Sequence, residues 1–131
     1  MRCLGIESTA HTFGCGIIDD KGRIYANVID AYNTEKGGIH PSEAKLHHEE
    51  VKDKVVEEAL KVANLKLEDV DLISFSQGPG LAPCLLVGMK KAKELAAKIN
   101  VPLAPVNHCI AHLEIGKLMT KAKAPVLLYP S

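Results

Sequence analysis

Tryptophan is missing from the 131 residues, and aromatic side chains make up only 4% of them. An interior without large rings must be packed by Val, Ile, Leu and Ala, which the hydrophobic share of 47% can supply. A share of that size excludes a disordered chain. Charge of one sign is lacking too, since 16 basic residues balance 16 acidic ones. No general field therefore draws the chain onto a phosphate backbone or an anionic membrane, and contact with nucleic acid must be local or supplied by a partner. There is no run of eighteen apolar residues, and the start MRCLGIESTAH holds an apolar stretch too short for a secretory signal. Cys3, Cys15, Cys84 and Cys109 show no C-x-x-C spacing and read as reduced thiols. The expectation is a soluble cytoplasmic chain with no membrane partner. Its length suits one domain, or part of a larger one.

Three short apolar stretches open the chain: Cys3 to Ile6, Phe13 to Ile18, and Ile24 to Ala31. Asp19-Asp20-Lys21-Gly22 between the last two is a hairpin signal, so the first third predicts an antiparallel meander. Pro41 marks a first helical residue, and Ala44, His48, Val51, Val55, Ala59 and Val62 then recur at three- and four-residue steps over about six turns. Val70 to Phe75 predicts a strand, followed by the turn-rich SQGPGLAP. A second helix runs to about Asn100 with Leu86, Met89, Lys93 and Ala97 along one side. Pro102 to Val106 is a short strand, His108 to about Thr120 a third helix, and Val126 to Tyr129 is again strand-like. The order β-β-β-α-β-α-β-α implies an α/β fold, a mixed sheet with helices on its faces, as in the ribonuclease H fold and each half of the actin-like nucleotide-binding fold. Residues 1–124 are expected to form this lobe, and 125–131 to open a second one.

His108 and His112 in NHCIAHLEIG stand four apart on a predicted helix, so both imidazoles project from one face. That spacing suits two ligands of a transition metal, and it equally suits a helix-start histidine beside an interior one. A zinc protease of the H-E-x-x-H type needs its base directly after the first histidine, where Cys109 stands, and Glu114 turns to another side. Ser76-Gln77-Gly78-Pro79-Gly80, between strand and helix, lets the backbone approach an anion through Gly78 and Gly80, or simply makes a tight connection. Gly5-Ile6-Glu7-Ser8-Thr9-Ala10-His11 is either a phosphate-wrapping hairpin, with Ser8 and Thr9 as hydroxyl donors, or a polar turn. His48 shares the apolar stripe and is expected to be a hydrogen-bonded interior histidine, whereas His47 turns toward a flank that a cleft could occupy.

GIESTAHTFGCGI, GGIHPSEAKLHH, SQGPGLAP and NHCIAHLEIGKL, in this order and at these intervals, resemble the archaeal and eukaryotic branch of the tRNA threonylcarbamoyladenosine synthesis family. Its members were formerly called O-sialoglycoprotein endopeptidases. The resemblance covers essentially the whole chain. It implies an actin-like, two-lobed transferase of which this chain supplies the first lobe. The group moved is threonylcarbamoyl, from threonylcarbamoyl-AMP to N6 of the adenosine beside the anticodon. The nucleotide site, for that adenylate or ATP, would draw on Glu7, Ser8, Thr9, Gly78, Gly80, Tyr129 and Ser131. One divalent transition metal, iron or zinc, would be held by His108, His112 and Tyr129, with a later aspartate that has no counterpart here.

The resemblance further implies tRNA as a partner, together with a small atypical kinase and accessory subunits of a KEOPS-type complex, and either a second lobe or self-association. It assigns no catalytic side chain. Pro130 departs from the family's valine after the tyrosine, Leu86 stands where arginine is common, and Ala104-Pro105 replaces a branched residue and glycine. Two other readings compete: a non-catalytic binding module derived from the family, and a metal-dependent hydrolase, which Cys109 disfavours.

Overall fold

A computed structural model describes residues 1–121 and 123. The expected strand Val126 to Tyr129, the boundary at 125, Tyr129 and Ser131 lie outside the described residues. The meander forms as β1 (Arg2–Glu7), β2 (Thr12–Asp19) and β3 (Ile24–Ala31), each antiparallel to the next. Asp19 closes the β2–β3 turn, its carboxylate accepting from the backbone N–H groups of Lys21 and Arg23 at 2.9 Å. Gly22 takes φ +84° there, a conformation that costs glycine little.

After α1 (Pro41–Ala63) a single 3₁₀ turn, Leu67–Asp69, leads into β4 (Leu72–Gly78). Val70 caps that turn, which is why the strand starts later than its apolar letters suggest; it runs on past Phe75 to Gly78. Then come α2 (Ala82–Ile99), β5 (Leu103–Asn107) and α3 (His108–Thr120). The sheet order is β3-β2-β1-β4-β5, with β1, β4 and β5 mutually parallel. Pro105 sits on the edge strand β5, where a missing N–H is tolerated. No helix among the described residues is long and apolar enough to cross a membrane.

Alternation along the strands sends Leu4, Ile6, Phe13, Cys15, Ile17, Ala26, Ile73 and Phe75 to one face, where all are buried. Helices α1 and α2 cover that face. Burying a side chain of this size contributes about 1.5–3 kcal/mol. The α1 stripe is as expected through Ala59, with Val51 partly buried and Val56 added, while Val62 turns away from the core that Ala59 and Ala63 meet and is exposed. The α2 stripe differs from expectation. Its buried residues are Cys84, Val87, Gly88, Lys91, Ala92, Leu95 and Ala96, whereas Leu86, Lys93 and Ala97 face outward.

Lys91 is buried because its ammonium reaches Asp53 of α1 at 2.7 Å and Glu94 at 3.3 Å, clamping the two helices. Burial alone would lower its pKa, but the hydrogen bond and charge of Asp53 and the charge of Glu94 outweigh that and leave it raised above 10.5. The same hydrogen bond holds Asp53 below 3.8. Burial pushes His48 below 6.5, against the opposing pull of its bond to Ala10. The signs follow. His48, depressed in the fold, contributes stability above pH 6.5 that is lost as pH falls; Asp53 does the same below pH 3.8. Lys91, raised in the fold, contributes stability below pH 10.5 that is lost as pH climbs past it. Burial also pushes the Cys15 thiol from 9.0 up to about 12, so the midpoint of urea unfolding is expected to fall on either side of a plateau between pH 6.5 and 9.0. A midpoint that rises on acidification from pH 7 to 5 would contradict a buried, neutral His48.

Candidate functional site

The carboxyl ends of the parallel strands β1, β4 and β5 open at one edge of the sheet, the position at which α/β sheets form binding crevices. Each strand delivers one part of the site: the Ser8–His11 turn after β1, the Gly78–Leu81 loop after β4, and the start of α3 after β5.

The first two parts are joined. The N–H of Leu81 donates to the carbonyl of Thr9 at 2.7 Å, and the N–H of Ser8 donates to Oγ of Ser76 at 3.0 Å. Gly80 is required by this approach, because a Cβ there would stand 2.6 Å from the Thr9 carbonyl oxygen. Gly78 holds φ +146°. Ser8 is fully buried against Gly88 of α2, and its Oγ has no hydrogen-bond partner among the described residues. Thr9 is buried as well, and both its N–H and its hydroxyl donate to Oε1 of Glu7. So the two hydroxyls point into the protein, while the backbone of the turn and Glu7 form the edge of the crevice.

Asn107 starts α3 by accepting from the N–H groups of Cys109 at 2.9 Å and Ile110 at 3.1 Å. This fixes the first turn and brings the imidazoles of His108 and His112 together edge to face, with centroids 4.4 Å apart and Nε2 atoms 3.1 Å apart. Two nitrogens bound to one tetrahedral ion at about 2.0–2.1 Å are separated by about 3.3 Å. The observed spacing therefore fits a shared metal as well as a hydrogen bond. Nδ1 of His108 lies 4.0 Å from Oε1 of Glu7, the side from which a carboxylate orients a ligating imidazole. Among the described residues no group of three His, Cys, Asp or Glu is placed to hold an ion, so two imidazoles are what this part of the chain offers. Glu114 turns away toward Lys117 at 3.4 Å, as its position on the helix predicts.

Beneath α3 the uncovered sheet face forms a concavity of about 490 Å³, floored by Gly5, Gly14 and Gly16 and bordered by Glu7, His108 and His112. The sequence patterns indicated His108, His112 and the two glycine-bearing turns. They gave no sign that Glu7 would touch the turn and approach α3, and none of Asp30, whose Oδ1 on β3 lies 2.8 Å from Nε2 of His47. His47 thus faces Asp30 and His48, with 16% of its side chain exposed, and His48 is buried and bound to the Ala10 carbonyl, as expected of an interior histidine.

A family model described as TsaD, tRNA N6-adenosine threonylcarbamoyltransferase, matches residues 23–131. A curated protein of that description from Thermococcus kodakarensis is 54% identical over 131 residues, covering 100% of this chain and 40% of the relative. Another from Staphylothermus marinus is 50% identical, covering 98% of this chain and 39% of its own length. The chain thus spans about 40% of the length of such relatives. Among solved structures, YeaZ from Pseudomonas aeruginosa superposes with a TM-score of 0.71 at 16% identity, over 93% of this chain and 50% of the other, which speaks for the fold alone.

Proposed function

The chain belongs to the tRNA N6-adenosine threonylcarbamoyltransferase family, and from that premise we propose that it forms the first lobe of an enzyme that makes threonylcarbamoyladenosine in tRNA. The amine N6 of the adenosine beside the anticodon attacks the carbamoyl carbonyl of threonylcarbamoyl-AMP. A C–N bond forms, the bond to the phosphate oxygen breaks, the amine gives up a proton, and AMP leaves. The observation that carries this reading is the pairing of His108 with His112 beside Glu7 at the open edge of the sheet.

In this reading His108 and His112 hold an iron or zinc ion, with Tyr129 as a further ligand. Glu7, 4.0 Å from Nδ1 of His108, places negative charge beside that ring. A metal there supplies Lewis acidity toward the threonylcarbamoyl carbonyl. The turn at Ser8 and Thr9 and the loop at Gly78 and Gly80 build one wall for the adenylate, and Ser131 belongs to the same site. Partners are tRNA and, in a KEOPS-type complex, a small kinase and accessory subunits, all in the cytoplasm. The neutral charge of the chain supports this, because a partner then supplies the basic surface for tRNA. The exposed apolar residues Ile110, Ile115 and Met119 of α3 suit cover by a second lobe or another copy.

Joined to the remaining length of the Thermococcus kodakarensis relative, the chain is expected to form threonylcarbamoyladenosine when given tRNA, threonylcarbamoyl-AMP and the partner subunits. The H108A/H112A double variant of the same chimaera is expected to lose product and to retain less metal after dialysis. Equal metal content in the two would overturn the ligand assignment, and absent product from a folded, metal-loaded chimaera would overturn the reading as a transferase.

A further inference from the structure

The sheet face that α3 roofs carries a row of residues in register across neighbouring strands: Asn27 of β3 opposite Gly16 of β2, Gly16 opposite Gly5 of β1, and Gly5 beside Ser74 of β4. Its ends are polar and its middle has no side chains. Helix α3 starts from β5, and its Leu118 lies against Gly22 in the β2–β3 turn. Ala111, His112 and Ile115 therefore stand over the row, and the concavity of about 490 Å³ lies between.

The fold does not explain Gly16. Its φ is not positive, the bulge of the β2–β3 pair lies further on between Ile17 and Ile18, and a Cβ would meet only the Ala26 carbonyl oxygen, at an ordinary 3.7 Å. Glycine weakens a strand, and where neither turn nor bulge calls for it, its remaining use is close approach to the backbone. Gly5 differs, since a Cβ there would stand 3.0 Å from Oγ of Ser74. Together the two glycines make a flat, apolar floor. What fits is apolar on its faces and polar at its edges. Strands about 4.8 Å apart set Asn27 and Ser74 about 14 Å from each other, a span that a two-ring base fills with a hydrogen bond at each end and a one-ring base does not. Asn27 is exposed, and its amide, donor and acceptor at once, makes no hydrogen bond among the described residues. Ser74 meets Sγ of Cys3 at 3.3 Å, and its oxygen has capacity for a further bond. A polypeptide segment with apolar side chains would answer neither polar end.

We propose that this concavity seats the acceptor adenine, with Gly16 and Asn27 as specificity-determining residues. The identity of the base rests on the transferase reading. The concavity opens at Glu7, His108 and His112, so a purine lying over Gly5 and Gly16 has one edge where that reading places the carbonyl. Unstacked bases of single-stranded loops are recognised in this way, by their faces and their edges. The adenylate stays at the Ser8–His11 turn, and the two reactants meet at the histidines.

The first test is titration of adenosine into the nitrogen-15-labelled chain. Saturable shifts are expected at the amides of Gly5 and Gly16 and at the Asn27 side chain, with uridine at least about tenfold weaker. N27A is expected to bind adenosine about three- to tenfold more weakly, the change that one hydrogen bond carries. G16V, whose methyl groups cover the floor, is expected to show no saturable shift; should it fail to fold, the exposed Asn27 carries the test. No saturation at these residues in the parent, an equal response to uridine, unchanged affinity in N27A or binding that survives in folded G16V would each overturn the proposal. The second test places G16V in the chimaera with the Thermococcus kodakarensis remainder. Its rate of product formation on tRNA is expected to fall at least about tenfold, with metal content and threonylcarbamoyl-AMP binding as in the parent. A loss of stability or of metal instead would mean that the concavity receives a segment of the second lobe, and would overturn the proposal. A parent chimaera that makes no product sinks the transferase reading and not the site, which the adenosine titration decides.

Discussion

A Gly88→Ala variant is expected to be about 1–3 kcal/mol less stable than the parent, although alanine is favoured over glycine inside a helix by about 1 kcal/mol. The added Cβ would stand 2.1 Å from Oγ of Ser8 and 3.1 Å from its Cβ. Ser8 has no room to withdraw, being fully buried with its N–H tied to Ser76. Strain must then pass into the turn or push α2 off the sheet. Ser8→Ala on its own is expected to be nearly neutral, since it removes a hydroxyl that has no hydrogen-bond partner among the described residues. In the double variant it removes the shorter contact and is expected to restore more than half of the loss. Urea unfolding of the four proteins gives the coupling directly. Additive effects, or a Gly88→Ala protein as stable as the parent, would show that α2 and the turn are not in contact through this pair.

That pair also illustrates what was legible in the sequence. The helices were, because Pro41, the 3.6-residue period and Asn100 give start, face and stop, and Asn100 indeed ends α2 in the left-handed conformation at φ 56°. Which face of α2 is inside was not legible. Its buried stripe contains Gly88 and Lys91, residues whose burial is decided by partners 80 and 38 positions away, Ser8 and Asp53. Local hydrophobicity favoured Leu86 and Met89 instead, and Leu86 is exposed. The candidate site divides the same way. His108 and His112 were legible because the relation between them is local, four residues on one helix. The approach of Glu7 to His108 and the contact of Asp30 with His47 join separate elements, and although the resemblance marks Glu7 as a site residue, nothing local pairs it with His108 or marks Asp30.

The 131-residue chain by itself is expected to form no threonylcarbamoyladenosine, even when supplied with tRNA, threonylcarbamoyl-AMP and metal. The described site has one wall: the Ser8–His11 turn zipped to the Gly78–Leu81 loop, with His108 and His112 standing at its margin. His108 and His112 with Tyr129 leave incomplete the shell of a transition metal that takes four or more ligands, so the ion would be weakly held. The larger loss is in positioning. Holding donor and acceptor in reacting geometry supplies as much as about 7–11 kcal/mol of a barrier, and an adenylate gripped from one side keeps most of its rotational freedom. Lowering the barrier through the carbonyl alone does not replace that. Nucleoside analysis of tRNA incubated with the chain, alone and then with a polypeptide carrying the remaining length of a relative and the partner subunits, measures the difference. Product appearing only in the complemented reaction is the expected result. Turnover by the lone chain would mean that a second copy builds the opposite wall, and the reaction rate would then rise with the square of protein concentration at low concentrations.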